Sequence, residues 1–170
     1  MYETAWYEYC DWYLELTKPI LSKNSQASDA EQRGTRHTLV QVLETTLRLL
    51  HPIMPFITEE IWQGIKPLTA AQGESIMLQA YPIADMAKVD NAAVVEIQWA
   101  KAFINGIRTI RSEMDIKPSQ SLDILLQNWS NNDQALFANS EAFVKSLTKV
   151  TSVVWLDADA EAPESATALV

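Results

Sequence analysis

The chain has 170 residues, 48% hydrophobic and 21% charged, which suits one globular domain or one domain with a small appendage. Thirteen basic residues stand against 22 acidic ones, a formal charge of −9, which argues against a simple nucleic-acid-binding module with its usual basic excess. Cys10 is the only cysteine, so no internal disulfide can form, and the chain has neither a run near the ~20 apolar residues that cross a bilayer nor a secretory signal at its start.

Residues 2–17 predict an amphipathic helix whose apolar and aromatic face is Trp6, Tyr9, Cys10, Tyr13, Leu14 and Leu16, ended near Pro19. It begins almost at residue 1 without a convincing cap, as a cut inside a larger helical region would leave it. Core packing is the plain reading of Cys10, Tyr13 and Leu14. Residues 23–34 are polar and aperiodic and predict a solvated loop. Arg33, Arg36 and His37 form the one compact basic group of the first half. They suit an exposed helix start or, alternatively, a phosphate contact.

Residues 38–51 predict a second helix, with Leu39, Val42, Leu43, Leu47 and Leu50 at helical spacing. Pro52 disfavours helix at His51 and should stop it there. Thr58 is a candidate cap for a third helix over 58–65, with Glu59 and Glu60 at the positive end of its dipole. The turn between them is so apolar that Ile53, Met54, Phe56 and Ile57 should be buried. Residues 66–91 predict an irregular strap with a short extended piece at Ser75–Leu78. Residues 92–114 predict the longest helix, with Ile97, Ala100, Phe103, Ile104, Ile107, Ile110 and Met114 on one stripe. Lys101, Arg108 and Arg111 fall off that stripe, where ion pairing on a solvated face is the plain reading.

Beyond Pro118 the period changes to two. Leu122, Ile124 and Leu126 predict a strand, residues 133–147 a helix, and Val153–Leu156 a second strand. The expected fold is therefore mainly α: a helical bundle over 1–116, followed by a small α+β subdomain over 117–170. An acidic tail (Asp157, Asp159, Glu161, Glu164) should be mobile, Ala166–Val170 could begin another strand, and the end reads as a second cut. Without the tail the charge is nearer −5. His37 and His51 lack a ligand partner at i+3 or i+4, so no metal site is expected. Neither a glycine-rich phosphate loop nor a serine–histidine–acid arrangement is visible, so no catalytic residue is assigned.

Three phrases carry a resemblance. Leu49–Trp62 (LLHPIMPFITEEIW) resembles the helical anticodon-binding region of the class I aminoacyl-tRNA synthetases for valine, isoleucine and leucine. Cys10–Pro19 (CDWYLELTKP) looks like the CDWYLE…KP segment of the valine enzymes. Ile107–Pro118 (IRTIRSEMDIKP) is similar to their IRxIRxEMxIxP segment. Ser75–Leu78 with Pro82 resembles a fourth piece, with Tyr81 where tryptophan is often expected. The order is right and most of the chain is covered, which favours the valine enzymes over the isoleucine and leucine ones.

The resemblance implies a tRNA(Val) anticodon stem-loop as partner, together with the rest of the synthetase chain, in a cytoplasmic monomer with no membrane role. It implies ATP and Mg²⁺ as cofactors of a catalytic domain, and editing of mischarged tRNA, in the parent enzyme. HIGH-like and KMSKS-like phrases are lacking here, so the chain by itself should neither aminoacylate nor edit, and it should bind RNA weakly. Cys10, Leu14 and Lys18, at i, i+4 and i+8, would offer small apolar surface to a splayed base and a cation to a phosphate. Arg33 and Arg36 would add phosphate contacts. The competing reading is an acidic helical protein-interaction module.

Overall fold

The computed structural model describes residues 2–161, 163 and 165–168. The architecture is helical with a small α+β part, as the periodicities require. Contacts divide the chain into two compact units, Met1–Ala87 and Lys88–Val170.

The first unit opens with a π-wound stretch, Thr4–Tyr13, running into α1, Leu14–Leu21. The wider winding is explicit at the junction, where the Leu14 N–H donates to the Tyr9 carbonyl, five residues back. Pro19 sits inside α1 instead of ending it. A proline removes only the bond its own N–H would make, and here the helix stops two residues later.

Helix α2 spans Asp29–Leu50, so the expected loop is shorter by six residues at its end. The cause is a capping box. Ser28 Oγ accepts from the Glu31 N–H (3.3 Å), while the Glu31 carboxylate accepts from the Ser28 N–H (2.7 Å) and hydroxyl (2.8 Å). The signal Ser28-Asp29-Ala30-Glu31 was legible in the sequence.

Helix α3 starts at Pro55, with Met54 at its cap, and ends at Ile65. Thr58 is therefore not the cap. It is buried within the helix, its hydroxyl donating to the Met54 carbonyl (2.7 Å). With that hydrogen committed, His51 donates from Nδ1 to Thr58 Oγ1 (2.8 Å) and ties the turn to α3. The burial expected of the turn's apolar residues fails. Ile53, Met54, Phe56 and Ile57 are all exposed, Phe56 at 90%. Proline at the first helical position needs no cap from a side chain, so the turn closes on backbone bonds and leaves those side chains outside.

The core of this unit is Leu47, Trp62 and Ile76, flanked by Leu43, Ile65 and Ala71. Trp62 is completely buried, and its Nε1 donates to Glu44 Oε1 (3.1 Å). The other Glu44 oxygen binds Arg48 Nε (3.0 Å) and Nη2 (2.9 Å), and Arg48 Nη1 reaches the Ala80 carbonyl (2.7 Å). One buried carboxylate thus joins α2, α3 and the strap. Glu59 fastens the strap again, accepting from the Ser75 hydroxyl (2.8 Å) and the Ile76 N–H (3.2 Å). Residues Ile76–Leu78 form a 3₁₀ turn, not an extended piece.

In the second unit, α4 (Asn91–Glu113) is capped by Asp90, whose Oδ1 accepts from the Ala92 (3.0 Å) and Ala93 (3.1 Å) N–H groups. Its buried stripe is Ala100, Phe103, Ile104, Ile107 and, unexpectedly, Arg111, while Ile97 and Met114 at the two ends are exposed. Strand β1 (Leu122–Leu126), helix α5 (Asn131–Thr148) and strand β2 (Val150–Trp155) form a parallel βαβ unit, with Ile124 opposite Val153 and a register slip after Leu122.

A run of rings binds the second unit together. Successive centroids lie 5.2 Å (Trp99–Phe103), 5.7 Å (Phe103–Phe137), 5.6 Å (Phe137–Trp155) and 5.4 Å (Trp155–Trp129) apart. Through Phe103 and Phe137, α4 shares its core with α5. The second compact unit begins at Lys88, and the apolar stripe of α4 faces the strand–helix–strand element. Gln127 Nε2 holds the first tail residues through the Ala158 (3.0 Å) and Ala160 (2.9 Å) carbonyls. Glu164 of the expected mobile tail, and Leu169 and Val170 of the expected further strand, lie outside the described residues.

Helix α5 also begins with a capping box, in which the Asp133 carboxylate accepts from the Ser130 N–H (2.8 Å), the Ser130 hydroxyl (2.7 Å) and, through its other oxygen, Trp99 Nε1 (3.0 Å). Ser130→Ala should cost about 1 kcal/mol of stability, read by urea denaturation.

The Ser130 bonds hold Asp133 below the ordinary carboxylate range, as those from Gln63 and then the strap residues hold Glu59. A depressed folded-state pKa stabilises the protein above the unfolded value, and that contribution is lost as pH falls through the folded value. Stability should therefore be flat near neutrality and decline below about pH 4, the ordinary carboxylate range. Melting temperature against pH for the unaltered chain and for Glu59→Gln plus Asp133→Asn would check this; the variant should show the shallower acid decline.

Candidate nucleic-acid interface

Two tyrosines decide which way the N-terminal helix faces. The Tyr9 hydroxyl donates to the Leu39 carbonyl (3.0 Å), and the Tyr9 and Tyr13 rings lie 6.0 Å apart. Burial pushes both phenols above their ordinary value; for Tyr13 a hydrogen bond with Thr38 opposes the rise. These contacts fold α2 back along α1, with Leu16 and Thr17 also buried. The side turned away carries Cys10, Asp11 and Lys18, all exposed, and Leu14 is half-buried at its edge.

Cys10 thus leaves the core that the spacing assigned it, whereas Tyr13 and Leu14 keep part of their surface inside. Tyr9 and Tyr13 take the side packed toward α2, and Cys10, next to Tyr9 along the helix, falls outside it. Lys18 Nζ sits 2.5 Å from Glu15 Oε1, with 66% of its side chain exposed. Exposed pairs of this kind contribute about 0–1 kcal/mol, so Glu15 is readily exchanged for a phosphate.

Arg33 and Arg36 are exposed on the first turns of α2, where Arg36 Nη2 donates to Gln32 Oε1 (3.0 Å). Both stand toward the closed end of the α1–α2 hairpin, the end that also carries Lys18. Lys23, in the short connection between the helices, is exposed as well and went unremarked in the sequence because an isolated lysine in a polar loop has no pattern. Among the described residues, neither Lys23 nor Arg33 has an ion-pair partner. The first unit as a whole holds six lysines and arginines against eleven acids, so any grip on RNA must be local to this hairpin end.

The chemistry available here is recognition. A thiol and a half-buried leucine offer shape to an unstacked base, and four cations offer charge to phosphates. Among the described residues no group of three or more histidine, cysteine or acidic side chains converges as a metal site would require. Likewise no helix of the described residues is long and apolar enough to cross a membrane.

Residues 1–128 match the family model described as the anticodon-binding domain of tRNA ligase, about three quarters of the chain. The match takes in the whole first unit, α4 and β1.

Proposed function

Because the chain belongs to the family of anticodon-binding domains of tRNA ligases, we propose that it holds the anticodon stem-loop of a valine tRNA. The observation that carries the tRNA reading is the family match together with the exposed, cationic end of the α1–α2 hairpin. The valine assignment is supported by the three phrases at Cys10–Pro19, Leu49–Trp62 and Ile107–Pro118.

In this reading the chain serves a cytoplasmic, monomeric valine–tRNA ligase. Valine activation with ATP and Mg²⁺, and editing of mischarged tRNA, belong to other parts of that enzyme. This chain's share is positioning. Cys10 and Leu14 meet unpaired bases and give identity. Lys18, Arg33 and Arg36 meet phosphates and give register.

The test is a binding titration of the 170-residue chain with a valine anticodon stem-loop and an altered-anticodon control, across a salt series. The expected result is a preference for the valine loop and affinity that falls as salt rises. Preference for an isoleucine or leucine loop would reassign the tRNA. Salt-insensitive behaviour with no RNA binding would favour the protein-interaction reading, for which the exposed Phe56 turn is the natural surface. In the triple variant Lys18→Gln, Arg33→Gln, Arg36→Gln, the slope of log affinity against log salt should shrink by about 2, at roughly 0.7 for each phosphate no longer neutralised. The discrimination between loops should persist.

A further inference from the structure

In the second unit the fold gathers the backbone of two lysines, far apart in sequence, at one corner. Arg111 is buried at the end of α4, and its fork collects three carbonyls: Nη1 donates to that of Lys117 (3.0 Å), and Nη2 to those of Gln120 (2.6 Å) and Thr148 (2.7 Å). One guanidinium therefore fixes the backbone at Lys117 and, beside it, at Thr148–Lys149. The Leu122 N–H donates to the Lys149 carbonyl (3.2 Å), locking the same corner a second time.

Lys149 ends α5 in the left-handed conformation (φ 57°). Both lysine side chains are exposed. Their neighbours differ: Lys145 is paired with Glu141 (2.7 Å), and Arg108 has a partner of its own. Among the described residues, neither Lys117 nor Lys149 has an ion-pair partner. Glu113 and Asp115, also exposed, flank the corner and keep it from being a broadly basic surface.

We propose that Lys117 and Lys149, whose backbone Arg111 gathers at one corner, form a second phosphate-binding point through which this chain grips the tRNA backbone. This rests on the tRNA reading above and extends it to the second unit. Two unpaired lysines whose backbone is anchored at one corner are suited to phosphates of a sugar–phosphate backbone, and their acidic flank disfavours a diffuse polyanion contact. A buried arginine with three donors on backbone carbonyls organises the corner without touching the RNA; Arg111 is a positioning residue.

The test uses the 170-residue chain and a full-length tRNA transcript with the valine anticodon. Lys117→Gln plus Lys149→Gln is compared with Lys145→Gln, which removes a lysine of α5 whose backbone Arg111 does not hold. The double variant should lower the salt slope by about 1.4–1.8, and each single change should weaken binding about five- to eightfold at 0.1 M salt. Lys145→Gln should leave the slope unchanged, and preference for the valine anticodon should survive in all variants. A slope equal to that of the unaltered chain in the double variant would overturn the lysine site while leaving the tRNA reading intact. No binding by the unaltered chain at any salt would overturn both.

Discussion

Replacing Trp62 by alanine should destabilise the first unit by about 3–5 kcal/mol, a large part of the roughly 5–15 kcal/mol by which domains of this size are stable. Trp62 is wholly buried between Leu47 and Ile76, so the truncation leaves a cavity where α2, α3 and the strap meet. It also strips Glu44 Oε1 of its donor. Urea denaturation should show the loss as a lower midpoint. Trp62→Phe separates the two contributions. It refills most of the volume but restores no N–H, so it should recover more than half of the loss if packing dominates. Glu44→Gln is informative in the other direction: it keeps an acceptor oxygen for Trp62 but turns an amide N–H2 toward Arg48, leaving that cation held by the Ala80 carbonyl alone. A stability unchanged by Trp62→Ala would contradict the burial on which the core of this unit rests.

The second large effect is at Arg111. Arg111→Ala should cost the second unit about 3 kcal/mol or more, because the Lys117, Gln120 and Thr148 carbonyls lose their donor together. Arg111→Lys should recover little, since one ammonium cannot span the three oxygens that the planar fork reaches. Hydrogen exchange localises the damage. Protection should fall at Leu122–Leu126 and Val150–Trp155, where the corner holds β1 to β2, and stay unchanged at Leu47 and Trp62 in the other unit. The same variant should weaken any binding that needs Lys117 and Lys149 together.

Most of the element order was legible in the sequence. Two signals were strong: the 3–4 spacing through Phe103, Ile104 and Ile107, and the alternation Leu122–Ile124–Leu126. Each is a local consequence of one buried face, and the structure returns helix and strand there. The family was legible in three phrases that occur in the right order, and the match over residues 1–128 agrees at the level of the anticodon-binding domain. The capping boxes at Ser28–Glu31 and Ser130–Asp133 were present in the letters too, because a cap is a contact between residues three apart.

What the letters could not supply were contacts between residues far apart. Periodicity ranks a residue by its own helix, so it placed Val42 inside and Arg111 outside. Val42 is 38% exposed and Arg111 9%. Arg111 is buried because three carbonyls from residues 117, 120 and 148 arrive around it. Glu44 is buried because Trp62, eighteen residues on, presents an N–H to it. Cys10 lies outside because Tyr9 and Tyr13 take the side packed toward α2, and Phe56 because Pro55 starts its helix early. Helices, strands and family thus follow from patterns a few residues long. Which polar groups are buried and which cations stay exposed is settled only in three dimensions, because it depends on the partner that another element brings within about 3 Å.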